Sequence, residues 1–193
     1  GIRDSVASRG LGDVYNRQVE ELYRVGADTF IRVGTSGHIQ KDLKSGDLAI
    51  ISAAIRDEGT TRQYLPLEFP AVADIDVTLA LQSAAKKLGA PYRIGISQSK
   101  DSFYGQHEPQ RMGVAEDLLS RWRAWELGGA LCSEMEAAGI YIVASMLRAR
   151  AGGVAMVHAE DPMPPLDILL TVAVEGVREL ISTDRAAGRS VTI

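Results

Sequence analysis

A single cysteine, Cys132, excludes any disulfide within the chain, and with it the class of small secreted domains held together by several bridges. A reducing, cytoplasmic compartment is the expectation that follows. Histidine is scarce as well. His38, His107 and His158 stand far apart, and none has metal-ligand spacing to Cys132 or to an acidic residue, so no metal site is expected. No apolar run approaches the roughly 20 residues of a membrane span. The 21 basic residues are outnumbered by 25 acidic ones, the net charge is −4, and no stretch is dominated by Lys and Arg. Nucleic acid and membrane are therefore not expected as partners. A small anion still fits, because one or two arginines in a cleft are enough to hold it.

What the sequence does contain suits one domain over residues 1–193 with a proper core. Four short apolar runs bounded by turn residues read as buried strands: Phe30–Val33, Leu48–Ile55, Tyr92–Ser97 and Val154–Val157. Helical patterns lie between and after them. "DVYNRQVEELYRVG" offers Asp13 as an N-cap and Gly26 as a stop. "DIDVTLALQSAAKKLG" ends in Lys86, Lys87 and Gly89, which suits the helix dipole. "VAEDLLSRWRAWEL" is amphipathic, Glu134–Arg148 is apolar on nearly every face, and "LDILLTVAVEGVRELI" closes the series. Strands alternating with helices argue for an α/β sandwich with a largely parallel sheet.

Three stretches carry candidate chemistry. "FIRVGTSG" ends a strand in glycines, with Arg32 just before the expected turn. Free N–H groups at such a turn make an anion nest, Thr35 and Ser36 add hydroxyls, and Arg32 offers a bidentate fork. The plain alternative is a tight turn beside a surface arginine. "SKDSFYGQHEPQRM" supplies Phe103 and Tyr104 as stacking faces, Gln106 as a donor–acceptor pair, and Arg111 as a charge. A solvent loop is its alternative. In "LCSEMEAAGIY", Glu134 and Glu136 enter apolar surroundings that a carboxylate does not tolerate unpaired. Accepting the hydroxyls of a vicinal diol would satisfy them, with Met135 as a soft apolar face. Helix N-terminal charge complementarity is the alternative for Glu134, and an ion pair with an arginine the alternative for Glu136. Cys132 reads as a small apolar side chain, and Tyr64, within the excursion Ile55–Ala71, as packing.

Taken together and in this order, "GADTFIRVGTSG", "IRDEGTTRQYLPLEFPAVAD", "KDSFYGQHEP" and "SEMEAAGIY" resemble the nucleoside phosphorylase family, with the nearest likeness to its uridine phosphorylase branch. The resemblance covers roughly Val19 to Ile181. It implies a three-layer α/β/α sandwich around a mixed, largely parallel central sheet. It also implies phosphorolysis of uridine to uracil and ribose 1-phosphate, with inorganic phosphate as co-substrate, no cofactor and a homo-oligomeric assembly. By resemblance Arg32, Gly34 and Thr35 hold phosphate, and Glu134, Met135 and Glu136 hold ribose. Phe103, Gln106, Arg111, Met156 and Val157 meet the base. Arg32, Thr35 and Glu136 are the catalytic set.

Base choice rests on two positions. Purine-specific relatives carry an aspartate just after the fourth strand, where this sequence reads "VAMVHAEDP" with Asp161 displaced. Gln106 matches the pyrimidine-reading glutamine, although the arginine two residues beyond it is replaced by Glu108. The family's leading phosphate segment finds no match in Gly1–Asn16, so the expectation is either a truncated form or a phosphate site that lacks a part. Purine phosphorolysis, nucleoside hydrolysis and an inactive nucleoside-binding protein are the alternatives.

Overall fold

The computed structural model describes residues 11–159 and 162–189. Its strands are β1 (Thr29–His38), β2 (Leu48–Asp57), β3 (Ala71–Val72), β4 (Tyr92–Lys100), β5 (Cys132–Glu134) and β6 (Arg150–Val157). Its helices are α1 (Leu11–Arg24), α2 (Ile75–Lys87), α3 (Phe103–His107), α4 (Ala115–Leu127), α5 (Ala137–Leu147) and α6 (Asp167–Ala186).

The α/β character expected from the sequence is present, and the sheet is mixed. β1–β6, β2–β4 and β4–β5 are parallel, whereas β1–β5, β2–β3 and β2–β6 are antiparallel. The β2–β6 pairs join the two ends of the series, so β2, β4, β5, β1 and β6 close on one another as a five-strand barrel. The mixed sheet expected from the resemblance is therefore present, but it closes on itself. The closing contacts are short, with β5 meeting β1 at two positions and β4 at three, and β3 is added outside the ring against β2.

Helices meet both faces of β6, and its glycines are the reason. Successive residues of a strand point to opposite faces. A Cβ at Gly152 would come within 2.3 Å of Val77 on α2, and one at Gly153 within 3.0 Å of the Tyr141 hydroxyl on α5. Without side chains there, α2 and α5 approach the strand closely. α5 is buried from Ala137 through Ala144, as an apolar run on every face requires. Its Tyr141 is fully buried, and the hydroxyl donates to the Ile51 carbonyl at 2.8 Å. Burial pushes that phenol well above its ordinary pKa. α1 packs on α5, and α2 packs on α6 in a second apolar cluster.

Several boundaries differ from the sequence reading. β1 continues to His38 rather than turning after Val33. β5 occupies Cys132–Glu134, where the sequence reading began a helix, and α5 starts only at Ala137. α1 begins before Asp13, which therefore sits inside the helix instead of capping it. Asp74 does cap α2, accepting the Val77 N–H at 3.1 Å. Gly26 ends the first helix with φ +105°, a conformation that costs glycine little. The excursion after β2 is ordered by Arg56, which donates to the Leu65, Pro66 and Phe69 carbonyls. Tyr64 packs against the α5 cluster there.

Candidate active site

Three elements build a hollow of about 340 Å³ lined by Arg32, Thr35, Phe103, Met135, Glu136 and their neighbours. The first is the end of β1. "GTSG" is not a free turn: Gly34, Thr35 and Ser36 pair with β6, and Gly37 pairs with β5. The segment is thus a strand end rather than a tight turn. Gly34 matters for space instead. A Cβ there would lie 3.1 Å from Nη1 of Arg32, so a side chain would press on the guanidinium.

The second element is the junction of β5 and α5, where a helix start needs acceptors for its first N–H groups. Glu134 supplies them. Its Oε2 accepts the N–H of Glu136 and of Ala137, both at 2.8 Å, and also lies 3.1 Å from Arg32 Nε. Its Oε1 accepts the hydroxyls of Ser97, at 3.0 Å, and Ser99. Ser99 in turn accepts the Ala138 N–H at 2.9 Å. Both oxygens of Glu134 are thus engaged within the protein. Although it lines the hollow, its position is that of an anchor for α5 and Arg32 rather than a free acceptor.

Glu136 is different. Its Oε2 takes Arg32 Nη2 at 2.5 Å, Arg32 Nε at 3.0 Å and, more weakly, the Met135 N–H at 3.3 Å. Its Oε1 makes no hydrogen bond among the described residues. Arg32 sits between the two carboxylates with its side chain 10% exposed. Desolvation works against its charge, but Glu134 and Glu136 outweigh it and raise the guanidinium pKa above the ordinary value. Even so, Nη1 is buried with no hydrogen-bond partner among the described residues. A buried donor left unmade costs about 1–3 kcal/mol. An acceptor in the hollow would remove that cost.

The third element is α3, a single turn that the sequence reading took as loop. Ser102 caps it, accepting the Gly105 N–H at 2.9 Å. Phe103 and His107, four residues apart, fall on one side with ring centroids 4.1 Å apart, and both line the hollow. Desolvation, aided by the Lys100 charge, lowers the His107 pKa. Gln106 lines two adjoining hollows rather than this one. It is connected to it through Ser133, whose hydroxyl lies 2.7 Å from Gln106 Oε1. His107 lines all three.

Three sequence expectations fall elsewhere. Met156 and Val157 are buried in the core, at 1% and 0% exposure, and line none of these hollows. They belong to the packed wall behind the site, because β6 is covered by helices on both faces. Arg111 is drawn outward, paired with Glu108 at 2.9 Å and lying 5.0 Å over the Tyr104 ring. Asp161 lies outside the described residues, as do residues 1–10.

Lys100, Ser133 and His158 line the hollow without having been singled out. For Lys100 the signal was present in "SQSK" at the end of β4. Alternation directs Ser97 and Ser99 to Glu134, and Gln98 and Lys100 to Ser133. Burial lowers the Lys100 pKa to about 8, against the attraction of Glu134 and Glu136. Cys132 is fully buried, and burial pushes its thiol up to about 12, so it is no nucleophile at neutral pH.

The sequence profile of the phosphorylase superfamily matches residues 5–179. A uridine phosphorylase of Treponema pallidum is 42% identical over 191 residues, covering 93% of this chain and 74% of that protein. A uridine phosphorylase of Thermococcus kodakarensis is 47% identical over 82% of this chain and 58% of its own length. A uridine phosphorylase of Escherichia coli is 33% identical over 91% of this chain and 75% of its own. A profile match across most of the chain, with such relatives, leaves one assignment: the chain belongs to the phosphorylase superfamily.

Proposed function

We propose that the protein catalyses phosphorolysis of uridine, giving uracil and ribose 1-phosphate. The observation that carries the reading is the pairing of Arg32 with Glu136 inside one hollow. There, Nη1 of the arginine and Oε1 of the glutamate both lack hydrogen-bond partners among the described residues. A cationic donor suits phosphate, and a free carboxylate oxygen beside it suits a ribose hydroxyl. Thr35 adds a hydroxyl for the anion, Met135 an apolar face for the sugar, and Phe103 an aromatic face for the base. Relatives bearing the name uridine phosphorylase support the same substrate.

In the reaction the bond from C1′ of ribose to the base breaks and a bond from C1′ to a phosphate oxygen forms. Positive charge develops on the sugar and negative charge on the departing base. Phosphate held by Arg32 stabilises the first, and a cationic donor on the base side, Lys100, stabilises the second. Glu136 fixes the sugar between the two, so positioning supplies much of the acceleration. Inorganic phosphate is the co-substrate and no cofactor is invoked. A cytoplasmic homo-oligomer built from one such domain per chain completes the reading. Among the described residues no helix is long and apolar enough to cross a membrane.

Uracil release from uridine, followed by ultraviolet absorbance with and without phosphate, tests the proposal. Turnover that depends on phosphate supports it. Release at the same rate in phosphate-free buffer would make the enzyme a hydrolase instead.

A further inference from the structure

We propose that Asp57, Gln98 and Ser133 form a positioning relay that decides which end of the Gln106 amide faces the base. The relay selects a base edge that carries a ring N–H over one that carries a bare ring nitrogen. This rests on the reading that Gln106 meets the base, and it deepens that reading.

The relay begins at Asp57, the last residue of β2, which is ion-paired with Arg121 of α4. Its carboxylate Oδ2 accepts from Gln98 Nε2 at 2.7 Å. A carboxylate only accepts, so the nitrogen end of the Gln98 amide is held at Asp57. Gln98 Oε1 is thereby turned to Ser133, 2.5 Å from its hydroxyl oxygen. Both residues are 2% exposed, so neither can turn to water for another partner. An amide oxygen can only accept, and the Ser133 proton is therefore committed to Gln98.

Two further groups reach the same hydroxyl. Lys100 Nζ lies 2.7 Å away and, as an ammonium, can only donate. Gln106 Oε1 lies 2.7 Å away on the other side. With a single proton, Ser133 cannot satisfy two amide oxygens. A half-turn of the Gln106 amide exchanges its nitrogen and oxygen in place and satisfies every partner. Ser133 then accepts from Lys100 and from Gln106 Nε2 while donating to Gln98. The end of Gln106 left for a ligand is its carbonyl oxygen.

A carbonyl there accepts the ring N–H of uracil. Cytosine presents a bare nitrogen at the corresponding ring position, so two acceptors would be opposed. The discrimination is set by residues that need not touch the substrate.

The test is the ratio of Kd values for cytidine and uridine, measured by calorimetry on the purified protein and its variants. Asp57→Asn lets the Gln98 amide reverse, since the introduced amide can donate to Gln98 Oε1. Ser133 then gives its proton to Gln106, and the nitrogen end of Gln106 faces the base. The preference for uridine should fall on the order of 10–100-fold, as expected for one polar contact turned from paired to opposed. Adding Gln98→Glu to Asp57→Asn restores an acceptor for the Ser133 proton and should restore the preference. Ser133→Ala, which removes one oxygen atom, should relax the preference without the restoring partner. An unchanged ratio in both Asp57→Asn and Ser133→Ala, with uridine still bound, would overturn the relay while leaving the uridine reading intact. Wild-type protein that binds neither nucleoside would overturn the functional reading itself, and the relay with it.

Discussion

Glu134 and Glu136 lie two residues apart and both contact Arg32, yet the structure divides their work, and substitution to glutamine should separate them. Glu134→Gln keeps the shape and removes the charge. In the native protein its two oxygens take two helix N–H groups, two serine hydroxyls and one arginine N–H. A glutamine has one acceptor oxygen, so either the helix amides or the serine hydroxyls lose their acceptor. Removing one partner of a buried ion pair costs about 3–5 kcal/mol. Arg32 keeps Glu136, so the lower end applies, about 3 kcal/mol. For a chain of this size that corresponds to a fall in Tm of about 6–12 °C. Glu136→Gln loses only part of the Arg32 pairing near the rim of the hollow, where its side chain is 14% exposed. Its Tm should fall by less than half as much. Its kcat/KM for uridine should fall at least tenfold, because the oxygen turned to the sugar loses its charge, worth about 1.5–3 kcal/mol. Calorimetric melting at fixed protein concentration and initial rates at saturating phosphate measure both quantities. If Glu134→Gln melts within 2 °C of wild type, roughly half a kcal/mol, while losing as much kcat/KM as Glu136→Gln, the division into anchor and ligand is refuted.

Three further outcomes are expected. Gly34→Ala places a methyl 3.1 Å from the Arg32 guanidinium and should raise the KM for phosphate severalfold, with uridine affinity less affected. Lys100 binds its proton less readily folded, at about 8, than as a free lysine at 10.5. Between those values the unfolded chain holds more protons, so this residue's contribution makes stability rise with pH across that window. Urea midpoints compared at pH 7.5 and pH 10 should show a shallower rise in Lys100→Met than in wild type, a sign fixed by the depressed lysine pKa. Arg148 ends α5 at φ 57°, a left-handed conformation costing a residue with a Cβ about 1 kcal/mol. Arg148→Gly should therefore raise Tm by about 2–4 °C, read by thermal melting.

Much of the framework can be read directly from residue patterns. The apolar runs at β1, β2, β4 and β6 mark the buried strands, and the continuous apolar face of α5 marks a helix that must be enclosed. Asp74 and Gly26 act as the boundaries their types suggest. The pairing of an acidic helix entrance with an arginine is likewise implied, because buried carboxylates need partners. Tertiary structure decided the rest. β5 is three residues long and carries Ser133 and Glu134, polar residues whose strand character comes only from neighbours on both sides. Closure through β2–β6 depends on contacts between segments about a hundred residues apart, which no local pattern encodes. The different hydrogen-bond environments of Glu134 and Glu136 also arise only in three dimensions. Only the folded arrangement of Ser97, Ser99 and the first amides of α5 saturates one carboxylate and leaves an oxygen of the other for a ligand. Residue chemistry told which groups need partners, and the fold told which of them had already found one.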